Sequence, residues 1–284
     1  MTAERGAGPS GGGNGEGLTE SERIEREEFA RGHISPGEEP VEPRPAATAV
    51  VARGGPAGME LLFLRRPEEA RFAAGAYVFP GGVIDPEDEG EALRDRLGPE
   101  ATRAESDALV AALREAFEET GLLPADELPA EREMARAREA LLAGETTFPA
   151  LVRSWDLEFR GLSAAYFARW VTPARLSRRY DARFFLVEHR GGTPSLIGGE
   201  HTEVAWIDPG EALRRCEAGD LPMLYPTRKT AERLAEHRDL GRAMEAFRRA
   251  EVEPVLPRLL VDGDAVVPVL PGEPGYEEAG ITAP

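Results

Sequence analysis

The chain has 284 residues, 52 acidic against 34 basic, with a net charge of −18 and a pI near 4.8. That balance argues against the phosphate backbone of nucleic acid as a partner. Cys216 is the only cysteine, which excludes an intrachain disulfide and a thiolate metal site. No apolar run reaches membrane-spanning length, and the polar, Gly-rich N-terminus lacks the apolar stretch of a signal peptide. The C-terminus, Gly280 to Pro284, carries no Ser-Lys-Leu address. The expectation is a cytoplasmic protein without membrane contact. An apolar fraction of 41% is enough for a core.

Residues 1–43 are rich in Gly, Glu and Pro and are predicted to be disordered. Ala46–Arg53 and Glu60–Arg66 read as strands around Gly54-Gly55-Pro56. Tyr77-Val78-Phe79 reads as a short strand running into a turn at Gly81-Gly82, whose backbone can approach an ion or phosphate closely. The acidic stretch from Asp85 to Ala104 reads as loop with a helical turn around Glu91–Leu97. A long helix follows. Leu109, Leu113, Ala116, Phe117 and Thr120 form its apolar stripe, Thr102 and Glu105 a capping box, and Gly121 its end.

Glu131–Leu142 reads as a plain surface helix. Leu162–Thr172, Ala182–Glu188 and Val204–Ile207 read as strands. Pro209–Ala218 and Pro226–His237 read as helices, with Asp239–Ala250 a candidate continuation. Val255–Leu270 alternates around Asp262-Gly263, a hairpin signal. Strands interleaved with helices in this order predict an α/β fold, a mixed β-sheet with helices on both faces.

The informative segment is Arg114-Glu115-Ala116-Phe117-Glu118-Glu119-Thr120-Gly121-Leu122. On a helix, Glu115, Glu118 and Glu119 stand at i, i+3 and i+4 and share one face, and Arg114 can pair with Glu118. A solvated acidic face is the ordinary reading of such a pattern. The Gly81-Gly82 turn upstream and the number of fixed positions favour a site for a hard divalent cation instead. Oxygen-only ligands suit Mg²⁺ or Mn²⁺.

Gly82 followed by Arg114–Leu122 resembles the Nudix box, in which a glycine and a glutamate precede Arg-Glu-apolar-x-Glu-Glu-x-Gly-apolar. Gly82 and Arg114 are 32 positions apart, where the family pattern has 14, which leaves about 18 inserted residues. The first box acid is ambiguous: Asp88 keeps the spacing from Gly82, and Glu105 lies nearest the spacing from Arg114. A box with such an insertion resembles the peroxisomal coenzyme A diphosphatase-like branch. Leu61-Leu62-Phe63-Leu64-Arg65-Arg66, Arg71, Gly75 and Phe79-Pro80-Gly81-Gly82 resemble the coenzyme A motif of that branch, with Phe63 and Arg66 in place of Thr and Ser.

The resemblance implies a Nudix α/β/α sandwich over about residues 44–240, with 241–284 as an extension. It implies Mg²⁺ or Mn²⁺ held by Glu115, Glu118 and Glu119, with the Gly81 carbonyl as a further ligand and Arg114 orienting the glutamates. Glu200, six residues before Trp206, is the candidate fourth carboxylate, as ligand or general base, with Glu203 the alternate. Arg65, Arg66, Arg71, Gly75 and Gly82 become candidate substrate contacts. The implied substrate is a nucleoside diphosphate derivative, coenzyme A or acyl-coenzyme A first. ADP-ribose, a dinucleoside polyphosphate or a nucleoside triphosphate is the alternative, and a non-catalytic sensor is a third reading that the intact glutamates oppose. Many relatives dimerise, so a homodimer is admissible. His201 reads as a surface residue, and Arg175, Arg178, Arg179 and Arg183 as a solvated patch.

Overall fold

The computed structural model describes residues 41–279, apart from 57, 71, 72, 98–102, 175, 177, 263 and 264. The expectations at Arg71, Thr102, Arg175 and Gly263, and for the tail up to residue 40, lie outside the described residues.

β1 (Arg44–Gly55) and β2 (Gly58–Arg65) form an antiparallel hairpin closed where Gly55 faces Gly58. β2 also pairs antiparallel with β3 (Tyr77–Val78) and β7 (Glu203–Ile207). On its other side β1 runs parallel to β6 (Tyr180–Glu188), which pairs antiparallel with β5 (Ala164–Val171). β8 (Pro254–Val255) extends the sheet beyond β5, giving the order β3-β2-β1-β6-β5-β8. The predicted mixed sheet is thus present.

The predicted turn at Gly81-Gly82 is corrected. These residues begin a short strand, β4 (Gly81–Val83), antiparallel to the start of β1. Glycine is required there by proximity: a Cβ on Gly81 would stand 2.7 Å from the Ala47 carbonyl oxygen.

Strand residues alternate between two cores, as a sheet covered on both faces demands. Ala47, Ala49, Val51, Leu62, Phe185 and Val187 pack beneath α2 (Arg103–Thr120) and α4 (Phe148–Ser154). Val50, Ala52, Leu61, Phe63, Phe184 and Leu186 pack against α5 (Pro209–Glu217), α6 (Tyr225–Ala235) and α7 (Leu240–Arg249). Cys216 is buried in this second core. The candidate continuation of α6 is a separate helix: Asp239 accepts the Arg242 N–H at 2.9 Å and starts α7 afresh. α4 escaped the sequence reading. It is only seven residues long, although Thr147 as N-cap and Pro149 behind it are start signals. The tail forms the hairpin β9 (Arg258–Asp262) and β10 (Ala265–Val269).

The inserted stretch is knitted onto the domain. A 3₁₀ turn at Pro86–Asp88 leads to α1 (Glu91–Arg94). Arg94 forks onto the Asp107 carboxylate with two bonds of 2.6 Å. The Phe159 N–H donates to the Arg96 carbonyl at 2.9 Å. α3 (Glu131–Leu142) is not the plain surface helix expected, because Arg138 on it is 1% exposed. Among the described residues no helix is long and apolar enough to cross a membrane.

α2 is the element that carries the glutamates, so its packing sets their position. Phe117 is fully buried, with its ring 6.4 Å from those of Phe148 and Trp155. Phe117→Ala is expected to destabilise the protein by about 3–5 kcal/mol, read as a fall in the urea midpoint.

Candidate active site

Arg114 organises the site. It is 7% exposed and has a partner on every side. Its Nε and Nη2 each donate to Asp88 at 2.9 Å, and Nη2 donates to the Val83 carbonyl at 2.8 Å. Its Nη1 donates to Glu115 at 2.8 Å and to Glu118 at 3.1 Å, the expected i, i+4 pair. Asp88 is wholly buried and also accepts the Asp85 N–H at 2.9 Å. Of the two candidates for the first acid, Asp88 faces Arg114, while Glu105 lies on another face of α2, beside Leu109 and Tyr166.

On this face of α2, Glu115 reaches Gly82, Glu118 the Arg114 guanidinium and Glu119 the Gly81 N–H. Glu115 lies over Gly82, where a Cβ would stand 2.2 Å from its carboxylate oxygen. Any side chain at position 82 would displace it. Desolvation pushes Glu115 up to about 7, with the Arg114 charge opposing and Glu118 adding. Desolvation also raises Glu118, again against Arg114. Glu119 is raised well above its ordinary value, by burial first and then by the charges of Glu115 and Glu200; the Gly81 N–H and Arg66 partly offset this. Its Oε2 is sealed from solvent without a hydrogen-bond partner. Three desolvated carboxylates, one with an orphaned oxygen, form a donor set that a hard cation fits. As they stand, no three His, Cys, Asp or Glu among the described residues are gathered closely enough to hold an ion; Arg114 engages Glu115 and Glu118.

A cavity of about 460 Å³ adjoins this face. Arg66, Gly81, Gly82, Glu119, Glu200 and His201 line it near β1, β2 and β4. Trp170, Leu176, Tyr180 and Pro257 line it near β5, β6 and β8.

The site separates the two candidates for the fourth carboxylate. Glu200 lines the cavity, whereas Glu203 accepts the Tyr77 hydroxyl at 2.8 Å. His201, read as a surface residue, is instead 6% exposed and lines the cavity; burial and the Arg66 charge hold it down at about 4, so it is neutral near pH 7. Of the predicted solvated arginines, Arg178 lines the cavity, while Arg179 is bound to the carbonyls of Thr172 and Val41. Arg65 is turned to Glu68 and to the Gly75 carbonyl, and Gly75 itself has a φ of +68°. No signal in a single sequence marks His201 or Arg178 as cavity residues.

Comparison with known proteins decides the family. The NUDIX domain model matches residues 42–226. The chain belongs to the Nudix family. This Nudix hydrolase is 27% identical to the acyl-coenzyme A diphosphatase NUDT19 of Gallus gallus, over 83% of this chain and 80% of that one. It is 28% identical to the Homo sapiens protein of the same description, over 83% and 77%. Among solved structures, a NUDIX hydrolase from Alicyclobacillus acidocaldarius matches with a TM-score of 0.63 and 30% identity, covering 72% of this chain and 96% of that one. The Nudix fold and a pyrophosphatase class follow.

Two predictions arise from the charges. Asp88→Asn leaves a buried guanidinium short of its counter-ion and is expected to destabilise by about 3–5 kcal/mol. Glu105→Gln, away from the guanidinium, is expected to cost about 1 kcal/mol or less. Thermal melts of the pair decide whether Asp88 or Glu105 is the partner of Arg114.

The second concerns pH. Glu115 binds its proton more tightly folded, at about 7, than its ordinary value of 4.5. Its contribution to stability is therefore complete below pH 4.5 and is lost as pH rises through 7. The loss is on the order of 3 kcal/mol at 1.36 kcal/mol per unit. In chelator-treated protein, Glu115→Gln should flatten the fall in melting temperature between pH 5 and 8. An unchanged slope contradicts the assignment.

Proposed function

We propose that this Nudix hydrolase cleaves the diphosphate of coenzyme A or an acyl-coenzyme A, releasing 3′,5′-ADP and (acyl-)4′-phosphopantetheine. The single observation that carries the reading is the cavity itself, whose lining joins the charged Arg66, Arg178, Glu119 and Glu200 to the apolar Phe79, Trp170 and Leu176. A diphosphate bearing a long, partly apolar arm suits such a mixed lining. The two relatives at 27 and 28% identity are acyl-coenzyme A diphosphatases, which supports the same substrate class.

In this reading Glu115, Glu118 and Glu119 hold Mg²⁺ or Mn²⁺, with the Gly81 carbonyl and Glu200 as further donors. When bound, the ion supplies neutralisation of the diphosphate and activation of water. Arg114 keeps Glu115 and Glu118 oriented through its two Nη1 bonds. Gly82 leaves room for the Glu115 carboxylate. Arg66 and Arg178 meet the anionic part of the substrate, where guanidinium groups bind phosphate oxygens in pairs. Arg65 and Gly75 shape the turn behind Arg66, and Arg71 is a further candidate contact. Glu200 accepts a proton from the attacking water. The water oxygen bonds to one phosphorus as the bridging P–O bond breaks, and the bridging oxygen leaves with the other phosphate. The products are two phosphate monoesters.

The test is a panel of coenzyme A, a short acyl-coenzyme A, ADP-ribose, a dinucleoside polyphosphate and a nucleoside triphosphate with Mg²⁺ or Mn²⁺, scored by product mass. Coenzyme A esters are expected to give 3′,5′-ADP. Glu118→Gln is expected to reduce kcat on the order of 100-fold or more. Cleavage of ADP-ribose with coenzyme A untouched moves the assignment to the other substrate class. Full activity in Glu118→Gln removes it from the ligand set.

A further inference from the structure

Arg138 has no part in the reaction as described, yet it is the largest fully buried side chain among the described residues, 1% exposed. It projects from α3, whose other residues are mostly exposed or half-buried. Its side-chain hydrogen bonds leave that helix. Nε donates to the Glu118 carbonyl at 2.9 Å. That carbonyl belongs to the last turn of α2, where intrahelical donors run out. Nη1 donates to the carbonyl of Ser195 at 2.9 Å and to its hydroxyl at 3.1 Å. The Ser195 N–H in turn donates to the Thr120 carbonyl at 2.9 Å. One guanidinium therefore joins the end of the carboxylate helix to the loop between β6 and β7.

That loop carries Glu200 and His201 into the cavity. It is pinned a second time where the Thr202 N–H donates to the Arg65 carbonyl at 2.8 Å. Between the two pins, Gly198 and Gly199 have φ values of +82° and +76°, a conformation that other residues adopt only with strain. The path from Ser195 to Thr202 is thus fixed at both ends and bent by glycines in the middle. Arg138 holds one end at a price in solvation: its Nη2 is sealed without a hydrogen-bond partner. An apolar residue of similar volume would avoid that penalty, so burial alone does not account for an arginine here.

We propose that Arg138 is a positioning residue. It locks the 195–202 loop to the last turn of α2 and so sets the approach of Glu200 to Glu119. The proposal rests on the diphosphatase reading for its catalytic part and on hydrogen bonding alone for its structural part.

Two measurements on the full chain test it. In amide exchange, Arg138→Met should strip protection from the Ser195 N–H and leave the Thr202 N–H as it was. In kinetics, the same variant should lower kcat by about 10–100-fold, the range for a misplaced group, with KM within about threefold. In a Glu200→Gln background the further loss should shrink to about threefold or less, since a residue acting through Glu200 has nothing left to position. Arg138→Lys retains the charge but not the fork, and should behave like Arg138→Met. If Arg138→Met does not fold, Ser195→Ala, which removes only the hydroxyl acceptor, should show the same two effects at smaller size. Unchanged Ser195 protection, or losses that multiply fully in the double variant, overturns the proposal. Wild-type protein inactive on every diphosphate would sink the functional reading instead, and the exchange result would still decide whether Arg138 holds the loop.

Discussion

A buried guanidinium has to be matched by acceptors in every direction, and Arg114 is the residue on which this architecture depends. It faces Asp88 from the 3₁₀ turn, the Val83 carbonyl from β4, and Glu115 and Glu118 from its own helix. Each of these segments is held to the others through one side chain. Removing any acceptor would leave positive charge in a desolvated place, which is a far larger loss than an exposed pair would incur. The distance in sequence between the glycine-containing strand and the glutamate helix is therefore irrelevant to how they meet.

The same compactness leaves the site electrostatically unfinished. Glu115, Glu118 and Glu119 all have raised proton affinities, with desolvation as the leading cause in each. Arg114 opposes the rise at the first two and Arg66 at the third, and neither cancels it. An orphaned carboxylate oxygen at Glu119 adds an acceptor with nothing to accept. In the proposed reaction a divalent cation would take the place of the protons that these dehydrated carboxylates otherwise hold. A binder of purely apolar or anionic ligands would have no use for them.

Much of this was legible in the sequence because helical periodicity constrains both faces of α2 at once. The stripe of Leu109, Leu113, Ala116, Phe117 and Thr120 is buried, and the glutamates fall beside it. Gly121, with a φ of +75°, ends the helix as its position suggested. Other features were invisible for identifiable reasons. Asp88 and Glu105 each satisfied one spacing, and only the closure of the chain in three dimensions separates them. Glu203 and Tyr77 flank Arg65 in the sheet and are bonded to each other, a relation that depends on strand order and separates Glu203 from Glu200 in setting. Arg138 and His201 are buried polar groups in segments whose neighbours are polar, so no hydrophobic pattern points inward at either.

The split box also shows why an insertion at that point is tolerable. With Asp88 read as the first box acid, 25 residues separate it from Arg114. The uninterrupted family pattern has 7. Lengthening a closed loop by less than two doublings costs about 1 kcal/mol in chain entropy. The bonds of Asp88 to Arg114 are buried and charge-assisted, and losing such a pair costs several times that amount. The insertion is further stabilised by its own contacts, the fork of Arg94 on Asp107 and the link from Phe159 to Arg96. A position just after the acid is therefore among the few places inside the box where chain can be added without moving any group that the site uses. The same residues placed between Glu115 and Glu119 would break the helix face that brings the carboxylates together.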